Sequence, residues 1–285
     1  MQDIIKKAGA LIEALPYIRK FKGATFVIKA GGSMMENKDV VGGIFEDIIF
    51  LSCIGIKPAL IHGGGPRINA RMRKEGLQPK FIDGLRVTDA RTIKIVDETL
   101  IETSVDIAGY IEALGGKAKV LSGRKNRIIE AEKVRHKGKD IGFIGKVSSI
   151  NVKPIKRAFE SDFIPVISPV GYGKDGKAYN INADQAASEI AAALKAEKFV
   201  LVTDTRGILM DESDEGTLIS TLRREEAEGL IKRGIIKSGM IPKVKAVISA
   251  LNKGVQKTHI IDGRLGHAIL LEIFTDKGIG TEIVK

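Results

Sequence analysis

Short apolar runs alternate along this chain with longer stretches in which apolar residues recur every three or four positions. The short runs are typical of buried strands, and the longer stretches are typical of amphipathic helices. Strands are predicted at 25–29, 58–61, 117–121, 127–130, 164–167, 178–181, 199–203, 259–261 and 281–284. Helices are predicted at 1–20, 39–54, 67–75, 89–114, 152–162, 184–195, 223–233, 241–253 and 267–274.

This alternation predicts the α/β class, with a mostly parallel sheet covered by helices on both faces. The two halves of the chain meet near residue 174 without a linker of low complexity, so they should pack tightly. Pro16 should kink or end the first helix, and the glycines within 140–147 indicate a hairpin there. The apolar stripe of the helix at 1–20 fits either packing on the core or contact with another subunit.

Glycines follow shortly after two of the predicted strands. Lys29 ends one strand and is followed by Gly31 and Gly32, and His62 ends the next strand and is followed by glycines 63–65. Glycines in such turns let the backbone approach a ligand and point N–H groups outward, and a lysine adds positive charge. Two tight βα turns without a ligand are the alternative interpretation. Because the pattern of a strand followed by glycines occurs twice and Lys29 lies at the end of a strand, we favour an anion or phosphate site.

The glycines in residues 171–176 match the spacing of a dinucleotide-binding motif. That motif must lead directly into a helix, whereas a further strand is predicted here at 178–181. Gly173-Lys174-Asp175-Gly176 is therefore predicted to be a hairpin turn, and we reject NAD binding.

Composition narrows the classes of protein that fit. The 285 residues are 44% hydrophobic and 28% charged, which indicates a soluble globular protein of one large or two modest domains. Cys53 is the only cysteine, so disulfides within the chain are excluded and a cytoplasmic location is expected. No apolar run is long enough to span a bilayer, and no signal-peptide pattern is present. The net charge of +11 is spread along the chain and aromatic residues make up only 5%, so neither nucleic acid nor membrane is an expected partner.

Further polar residues at predicted helix starts are candidates for the chemistry. Asn180, Asn182 and Asp184 lie at one helix start, and Lys243 lies in the first turn of a later helix, where the helix dipole disfavours a cation. Arg86 precedes another helix and could hold a carboxylate through two parallel hydrogen bonds. Two lysines and glycine turns fit phosphoryl transfer onto an anionic acceptor, which needs charge neutralisation more than proton removal. Neither a P-loop nor a protein-kinase signature is present.

These residues lie in segments that resemble the amino acid kinase family, and within it the acetylglutamate kinases. The resemblance covers nearly the whole chain. The segments that carry it are Lys29-Ala30-Gly31-Gly32-Ser33, His62-Gly63-Gly64-Gly65-Pro66, Arg86-Val87-Thr88-Asp89, Tyr179-Asn180-Ile181-Asn182-Ala183-Asp184-Gln185-Ala186-Ala187, Gly239-Met240-Ile241-Pro242-Lys243-Val244 and Phe274-Thr275-Asp276-Lys277-Gly278-Ile279-Gly280-Thr281.

The resemblance implies a three-layer αβα sandwich around a mostly parallel open sheet. Its parts would be an oligomerisation helix at 1–20, an N-acetylglutamate-binding lobe at 21–174 and an ATP-binding lobe at 175–285. ATP with Mg²⁺, the metal held mainly by ATP oxygens, would phosphorylate the side-chain carboxylate of N-acetyl-L-glutamate in arginine biosynthesis.

The resemblance also implies roles for individual residues. Lys29 and Lys243 would stabilise the transferred phosphoryl group, and Asp184 would orient both ammonium groups. N-acetylglutamate would be bound by Gly64, Gly65, Arg86, Asn180 and Asn182. ATP would be bound by Gly31, Gly32, Thr203, Asp204, Gly207, Ile208, Ile235 and Lys237.

The first helix resembles that of an arginine-inhibited branch of the family, whose dimers interlace through this helix into a hexamer, a trimer of dimers. Arginine would bind at Tyr17, Lys198, Ser220, His267, Glu272 and Gly278. A PII-type signalling protein is a further candidate partner. The other histidines, His62, His136 and His259, are predicted to be structural or solvated.

Some positions depart from the usual pattern of the family, namely Ala30 and the segments 104–107 and 122–126. All of them lie in the predicted acceptor lobe. A second hypothesis is therefore a kinase for aminoadipate or glutamate attached to a carrier protein, for which the basic surface would suit an acidic carrier. A third hypothesis, a non-enzymatic nucleic-acid or regulatory binding protein, rests only on the net charge.

Overall fold

Helices and strands alternate through residues 2–32, 38–237 and 239–285, the parts of the chain that the computed structural model describes. The helices are α1 (Gln2–Phe21), α2 (Lys38–Cys53), α3 (Gly65–Lys74), α4 (Ala90–Ala113), α5 (Lys153–Glu160), α6 (Ala183–Leu194), α7 (Arg224–Lys232), α8 (Met240–Asn252) and α9 (Ala268–Phe274). The strands are β1 (Thr25–Ala30), β2 (Lys57–His62), β3 (Phe81–Ile82), β4 (Leu85–Arg86), β5 (Ala118–Ser122), β6 (Ile129–His136), β7 (Lys139–Ile150), β8 (Ile164–Ser168), β9 (Val170–Tyr172), β10 (Ala178–Asn180), β11 (Lys198–Thr203), β12 (Thr221–Arg223), β13 (Lys257–Asp262) and β14 (Thr281–Val284). Ser33 and Ser238, which belong to the glycine-turn and α8 motifs, lie outside the described residues.

The central sheet has eight strands in the order β12-β14-β13-β11-β1-β2-β8-β5. Neighbouring strands are parallel except for the antiparallel pair β13 and β14. Lys29 of β1 lies opposite Leu201 of β11 on one side and Ile61 of β2 on the other. Parallel strands covered on both faces are expected to be apolar at most positions, as β1 and β2 are. The predicted, mostly parallel sheet is confirmed.

Helices cover both faces of this sheet, which confirms the predicted three layers. One face packs against α5, α6, α7 and α8, where Ile190 and Val247 are fully buried. The other face packs against α2, α4 and α9, where Phe45 and Ile111 are buried. Each helix is amphipathic enough to bury one stripe on the sheet, and the two apolar layers hold the sheet in place.

The central sheet is unbroken across the predicted division at residue 174. The strands β1, β2, β5 and β8 come from the first half of the chain, and β11, β12, β13 and β14 come from the second half. The two predicted lobes therefore meet along the pairing of β1 with β11. The boundary itself stays a prediction.

Residues 140–147 do not form the predicted hairpin. They belong to the single long strand β7, which is antiparallel to β6, and the turn between these strands lies at Lys137 and Gly138. The prediction was wrong because Gly142, inside β7, does not form a turn but lets the Thr88 backbone approach closely. A Cβ atom at Gly142 would lie 1.9 Å from the carbonyl oxygen of Thr88.

Residues 173–176 form the hairpin turn that the sequence predicts. Strands β9 and β10 are antiparallel, with Tyr172 opposite Ala178, and β10 follows the turn directly. Gly176 has a φ of +77°, in the left-handed region that favours glycine.

Helix α1 continues through Pro16 to Phe21, so Pro16 does not end it, and a kink at Pro16 stays a prediction. The last turn is held by packing on the core, where Phe21 contacts the Phe26 ring edge-on and Tyr17 contacts the Phe274 ring in the same way. This packing outweighs the hydrogen bond that a proline inside a helix forfeits. Ile12 is 68% exposed and is not among the described residues that pack on the core. In the described parts of the chain, no helix has both the length and the apolar character needed to cross a membrane.

Candidate functional site

The two glycine turns lie against each other at the carboxyl ends of β1 and β2. A Cβ atom at Gly32 would lie 2.9 Å from the Gly64 nitrogen and 3.1 Å from the Gly65 nitrogen. The Gly63 nitrogen donates a hydrogen bond to the Ala30 oxygen at 3.0 Å. Segments about thirty residues apart in the sequence therefore form one backbone surface, which only glycine at position 32 allows.

Helix α3 begins at this surface. Gly64 is its N-cap residue and provides no side-chain cap, so the first N–H groups of the helix are left for another acceptor. Among the described atoms, none lies within 4 Å of the position that a Cβ atom on Gly65 would take. An uncapped helix start with open space in front of it favours an anion.

Two lysines from distant segments meet one aspartate beside the glycine turns. Lys29 Nζ at the end of β1 lies 2.8 Å from Asp184 Oδ1, and Lys243 Nζ in the first turn of α8 lies 3.5 Å from Asp184 Oδ2. The Lys29 and Asp184 side chains are 8% and 9% exposed, and the Lys243 side chain is 21% exposed. The unfavourable position of Lys243 at a helix start is thus explained by the carboxylate that it faces.

Burial and charge act against each other in this group. Burial lowers the pKa of Lys29 most, Asp184 raises it, Lys243 lowers it, and the resulting pKa lies below that of an ordinary lysine. Burial alone would raise the pKa of Asp184, but the two ammonium groups outweigh it, so the pKa is lower than usual. Asp184 is therefore ionised and holds two like charges close together.

Helix α6 places Asp184 through its own cap. The Asn182 side-chain oxygen accepts hydrogen bonds from the Asp184 nitrogen at 2.9 Å and from the Gln185 nitrogen at 3.1 Å. This contact gives Asn182 a structural task at the site. Its predicted contact with a substrate stays a prediction.

Arg86 is a buried cation on the other side of the glycine turns. Its guanidinium donates to the Gly65 oxygen at 3.3 Å, approaches Met72 Sδ at 3.3 Å and lies 4.8 Å from the centre of the Phe81 ring. No carboxylate of the described residues forms an ion pair with it, and burial lowers its pKa. A buried guanidinium with a carbonyl, a sulfur and an aromatic ring as neighbours is suited to bind an anionic ligand.

The predicted substrate residue Asn180 is linked to the Arg86 backbone through Thr88. Its side-chain nitrogen is 3.4 Å from Thr88 Oγ1, and the Thr88 hydroxyl donates to the Arg86 oxygen at 2.7 Å. The structure therefore places the Arg86 guanidinium at Gly65 and links Asn180 to the Arg86 backbone, and the binding of a substrate by these residues stays a prediction.

A cleft of about 390 Å³ is lined in part by Lys243. The predicted nucleotide residues that line it are Asp204, Gly207, Ile208, Ile235 and Lys237. Thr205 and Ile236 also line it and lie within the segments 203–208 and 235–237, which the family resemblance implies border the nucleotide, whereas Leu209, Glu212, Gly239 and Met240 line it and were not predicted. Thr203 is buried at the end of β11 behind the cleft. Gly31 is hydrogen-bonded to the Val202 oxygen at 3.2 Å, which fastens the first glycine turn to that strand.

A second, polar cleft of about 220 Å³ lies at the opposite edge of the sheet. The predicted effector residues Tyr17, Lys198, Ser220, Glu272 and Gly278 line it. The sequence did not predict the other charged or titratable residues there, which are Lys20, Glu197, Lys257, His259, Asp276, Lys277 and Glu282. We refer to this cavity as the polar cleft.

The structure places His267 outside the polar cleft, at the other end of α9. The His267 Nδ1 atom lies 2.7 Å from Asp47 Oδ1 on α2. The other oxygen of Asp47 accepts from the Ile269 nitrogen at 3.0 Å, so this fully buried carboxylate caps α9. The predicted contact of His267 with an effector stays a prediction.

The fold, and the two lysines that meet Asp184 beside the first cleft, are those of a phosphotransferase of the amino acid kinase class. The sequence profile of the amino acid kinase family matches residues 24–262, and the chain belongs to this family. Within it, the chain is 47% identical over 282 residues to an acetylglutamate kinase of Desulforamulus reducens, with 99% of this chain and 98% of the relative covered. It is 46% identical over 298 residues to an acetylglutamate kinase of Aquifex aeolicus, with 99% of each covered.

Solved structures give the same fold. An N-acetylglutamate synthase of Neisseria gonorrhoeae, complexed with coenzyme A and N-acetyl-glutamate, is 28% identical with a TM-score of 0.84. That comparison covers 98% of this chain and 63% of the synthase chain. A carbamate kinase of Giardia has a TM-score of 0.67 at 16% identity, which shows the shared fold, and the comparison covers 92% of this chain and 99% of the kinase.

The two glycine turns predict opposite effects for two matched alanine substitutions. Gly32→Ala should destabilise the fold by about 1–3 kcal/mol, because its Cβ atom would meet backbone that cannot move aside. Gly65→Ala should leave the free energy of unfolding within about 0.5 kcal/mol but weaken ATP binding, because its methyl group projects into the open space at the helix start. Urea denaturation and calorimetry measure the two effects. Equal stabilities for both variants would contradict the packing described here.

Proposed function

We propose that this chain is an acetylglutamate kinase, which transfers the terminal phosphoryl group of ATP to the side-chain carboxylate of N-acetyl-L-glutamate in the cytoplasm, as a step of arginine biosynthesis. The observation that carries the proposal is the convergence of Lys29 and Lys243 on Asp184. Lys243 of this group also lines the cleft formed by the predicted nucleotide residues. The full-length identity to acetylglutamate kinases supports the choice of acceptor.

The arrangement suits transfer to a carboxylate. The bond between the terminal phosphorus of ATP and its bridging oxygen breaks, and a carboxylate oxygen of the acceptor forms the new bond to phosphorus. Because the acceptor is already ionised, the site needs no base to remove a proton. It needs cations where negative charge accumulates, and Lys29 and Lys243 supply two.

The remaining predicted residues position the two substrates. Arg86 would hold the α-carboxylate of N-acetylglutamate, with Gly64, Asn180 and Asn182 around the rest of the acceptor. The N–H groups of Gly32 and Gly65 would hold phosphate oxygens. Mg²⁺, held mainly by the ATP oxygens, would neutralise phosphate charge.

We also propose that arginine inhibits this kinase by binding in the polar cleft. The cleft holds acidic and ammonium groups together, which suits a ligand with a guanidinium, an amine and a carboxylate. A solved N-acetylglutamate synthase of Neisseria gonorrhoeae, 28% identical over 98% of this chain, was complexed with L-arginine. Ile12 and Leu15 of α1 are 68% and 38% exposed, which supports a role of this helix in joining dimers into a hexamer.

An acyl-phosphate assay tests the function directly. Purified enzyme with ATP, Mg²⁺ and free N-acetylglutamate should form a product that hydroxylamine traps as a hydroxamate. Omission of N-acetylglutamate should abolish the product. A kinase for carrier-linked aminoadipate or glutamate would be idle with the free amino acid, so a lack of hydroxamate would overturn the proposal.

The Asp184→Asn variant should lower kcat in this assay by roughly 10²–10³-fold. Asp184 raises the pKa of Lys29, so its loss lowers that pKa further and the ammonium deprotonates at a lower pH. The remaining activity should therefore fall as pH rises through the lowered pKa, and a pH–rate profile between pH 6 and 9 measures this. Glu189→Gln, on the same helix but paired with Lys253 at the surface, should match the wild type. A variant at position 184 with the wild-type profile would disprove the role of Asp184.

The double variant Ile12→Glu/Leu15→Glu tests the oligomeric part of the proposal. It keeps Tyr17 and Phe21 packed on the core but places two charges on the exposed stripe of α1. Sedimentation should show six copies for the wild type and two for the variant, and arginine should inhibit the variant at least about tenfold more weakly. Leu265→Glu, at an exposed leucine far from α1 in the sequence, is the matched control. A variant that stays hexameric would argue against assembly through α1.

A further inference from the structure

Three titratable side chains form a buried row beneath the polar cleft. Lys198 Nζ on β11 lies 2.9 Å from His259 Nε2 on β13, and His259 Nδ1 lies 2.7 Å from Glu272 Oε1 on α9. The three residues are 5%, 2% and 7% exposed. None of them takes part in the phosphoryl transfer described above.

The row allows one arrangement of protons. A lysine amine at this distance donates and has no lone pair to offer when charged, so His259 Nε2 must accept. The proton of the neutral imidazole is then on Nδ1, where it donates to the Glu272 carboxylate. Lys198 therefore decides which nitrogen of His259 faces Glu272.

The charges around His259 agree with a neutral ring. Burial lowers the pKa of His259 most and Lys198 lowers it too, while Glu272 and Glu282 raise it, and the resulting pKa is below that of an ordinary histidine. Glu282 Oε1 is 3.8 Å from His259 Nε2 but is paired with Lys257 at 2.8 Å.

Glu272 is fixed through both of its oxygens. Oε1 meets His259, and Oε2 accepts from the Ile279 nitrogen at 2.7 Å and from the Gly280 nitrogen at 3.0 Å. Gly278 makes this fit possible, since a Cβ atom there would lie 2.6 Å from Oε2. These hydrogen bonds outweigh burial, which alone would raise the pKa of Glu272, so the carboxylate stays charged.

We propose that His259 is the positioning residue of the effector site: it holds the Glu272 carboxylate with the second lone pair of Oε1 directed to the polar cleft, where a guanidinium can donate to it. This inference rests on the proposed arginine site. It assigns a function to a histidine that the sequence predicts to be structural or solvated, and it makes Lys198 a partner of the ring as well as a wall of the cleft.

Two matched substitutions separate this role from simple packing. In His259→Asn the side-chain amide nitrogen takes the place of Nδ1 and can still donate to Glu272. In His259→Gln the amide reaches the place of Nε2, so the contact with Lys198 is kept and the contact with Glu272 is lost. Both variants lose the ring, so a packing role would weaken both equally.

Calorimetric titration with arginine measures the difference. His259→Gln should bind arginine at least about tenfold more weakly than the wild type, as Glu272→Gln should, whereas His259→Asn should stay within about threefold. The kcat without arginine should be unchanged in both histidine variants, because His259 is remote from Lys29 and Lys243. Equal arginine affinity in the two histidine variants would overturn the proposal.

A measurement without arginine distinguishes a wrong relay from a wrong effector. Solid-state ¹⁵N spectra of histidine-labelled enzyme report which ring nitrogen carries the proton, and the His259→Asn variant identifies the signal. A proton on Nδ1 and an unprotonated, hydrogen-bonded Nε2 between pH 6 and 8 support the relay, even if the wild type fails to bind arginine and the regulatory proposal falls. A proton on Nε2 in the neutral ring overturns it.

Discussion

The buried carboxylate of Asp184 is the contact on which the site depends. Two ammonium groups cannot share a site with little solvent unless an anion lies between them, and Asp184 meets both at 2.8 and 3.5 Å. The three residues come from β1, α6 and α8, so the ion group also fastens both halves of the chain at one point. Two ammonium groups and one carboxylate leave one excess positive charge at this point. A phosphoryl group that is being transferred adds negative charge there, so the geometry that binds it also balances the charge.

Most residues of the site could be predicted from the sequence because the patterns that indicate them are local. An apolar run that ends in Lys29 and two glycines defines both a buried strand and its ligand-facing tip. Arg86 and Asp184 also lie at predicted helix starts, and their segments match family motifs. The convergence of Lys29 with Lys243, more than two hundred residues later, follows only from the order of strands in the sheet.

The errors and omissions have a common physical cause, which is tertiary contact. Gly142 resembles a turn residue, but it is glycine because Thr88 passes too close for a side chain. Pro16 lies in a continuous helix because the residues after it pack on the core. His259 lies in an apolar strand, where a lone histidine gives no local signal, and its meaning depends on Lys198 and Glu272 from two other elements.

The parallel sheet keeps the two clefts apart. Lys198 begins β11 at the polar cleft and Thr203 ends it beside the nucleotide cleft, and five steps of about 3.3 Å each separate them by roughly 17 Å. The length of a buried strand is fixed. Inhibition by a ligand in the polar cleft, as proposed above, would therefore act through the helices that pack on the sheet. Helix α9 has the required contacts, since Glu272 lies at one end and Asp47 of α2 caps the other. Helix α2 follows the first glycine turn, so inhibition through the proposed arginine site would run from α9 to α2 rather than along the strands.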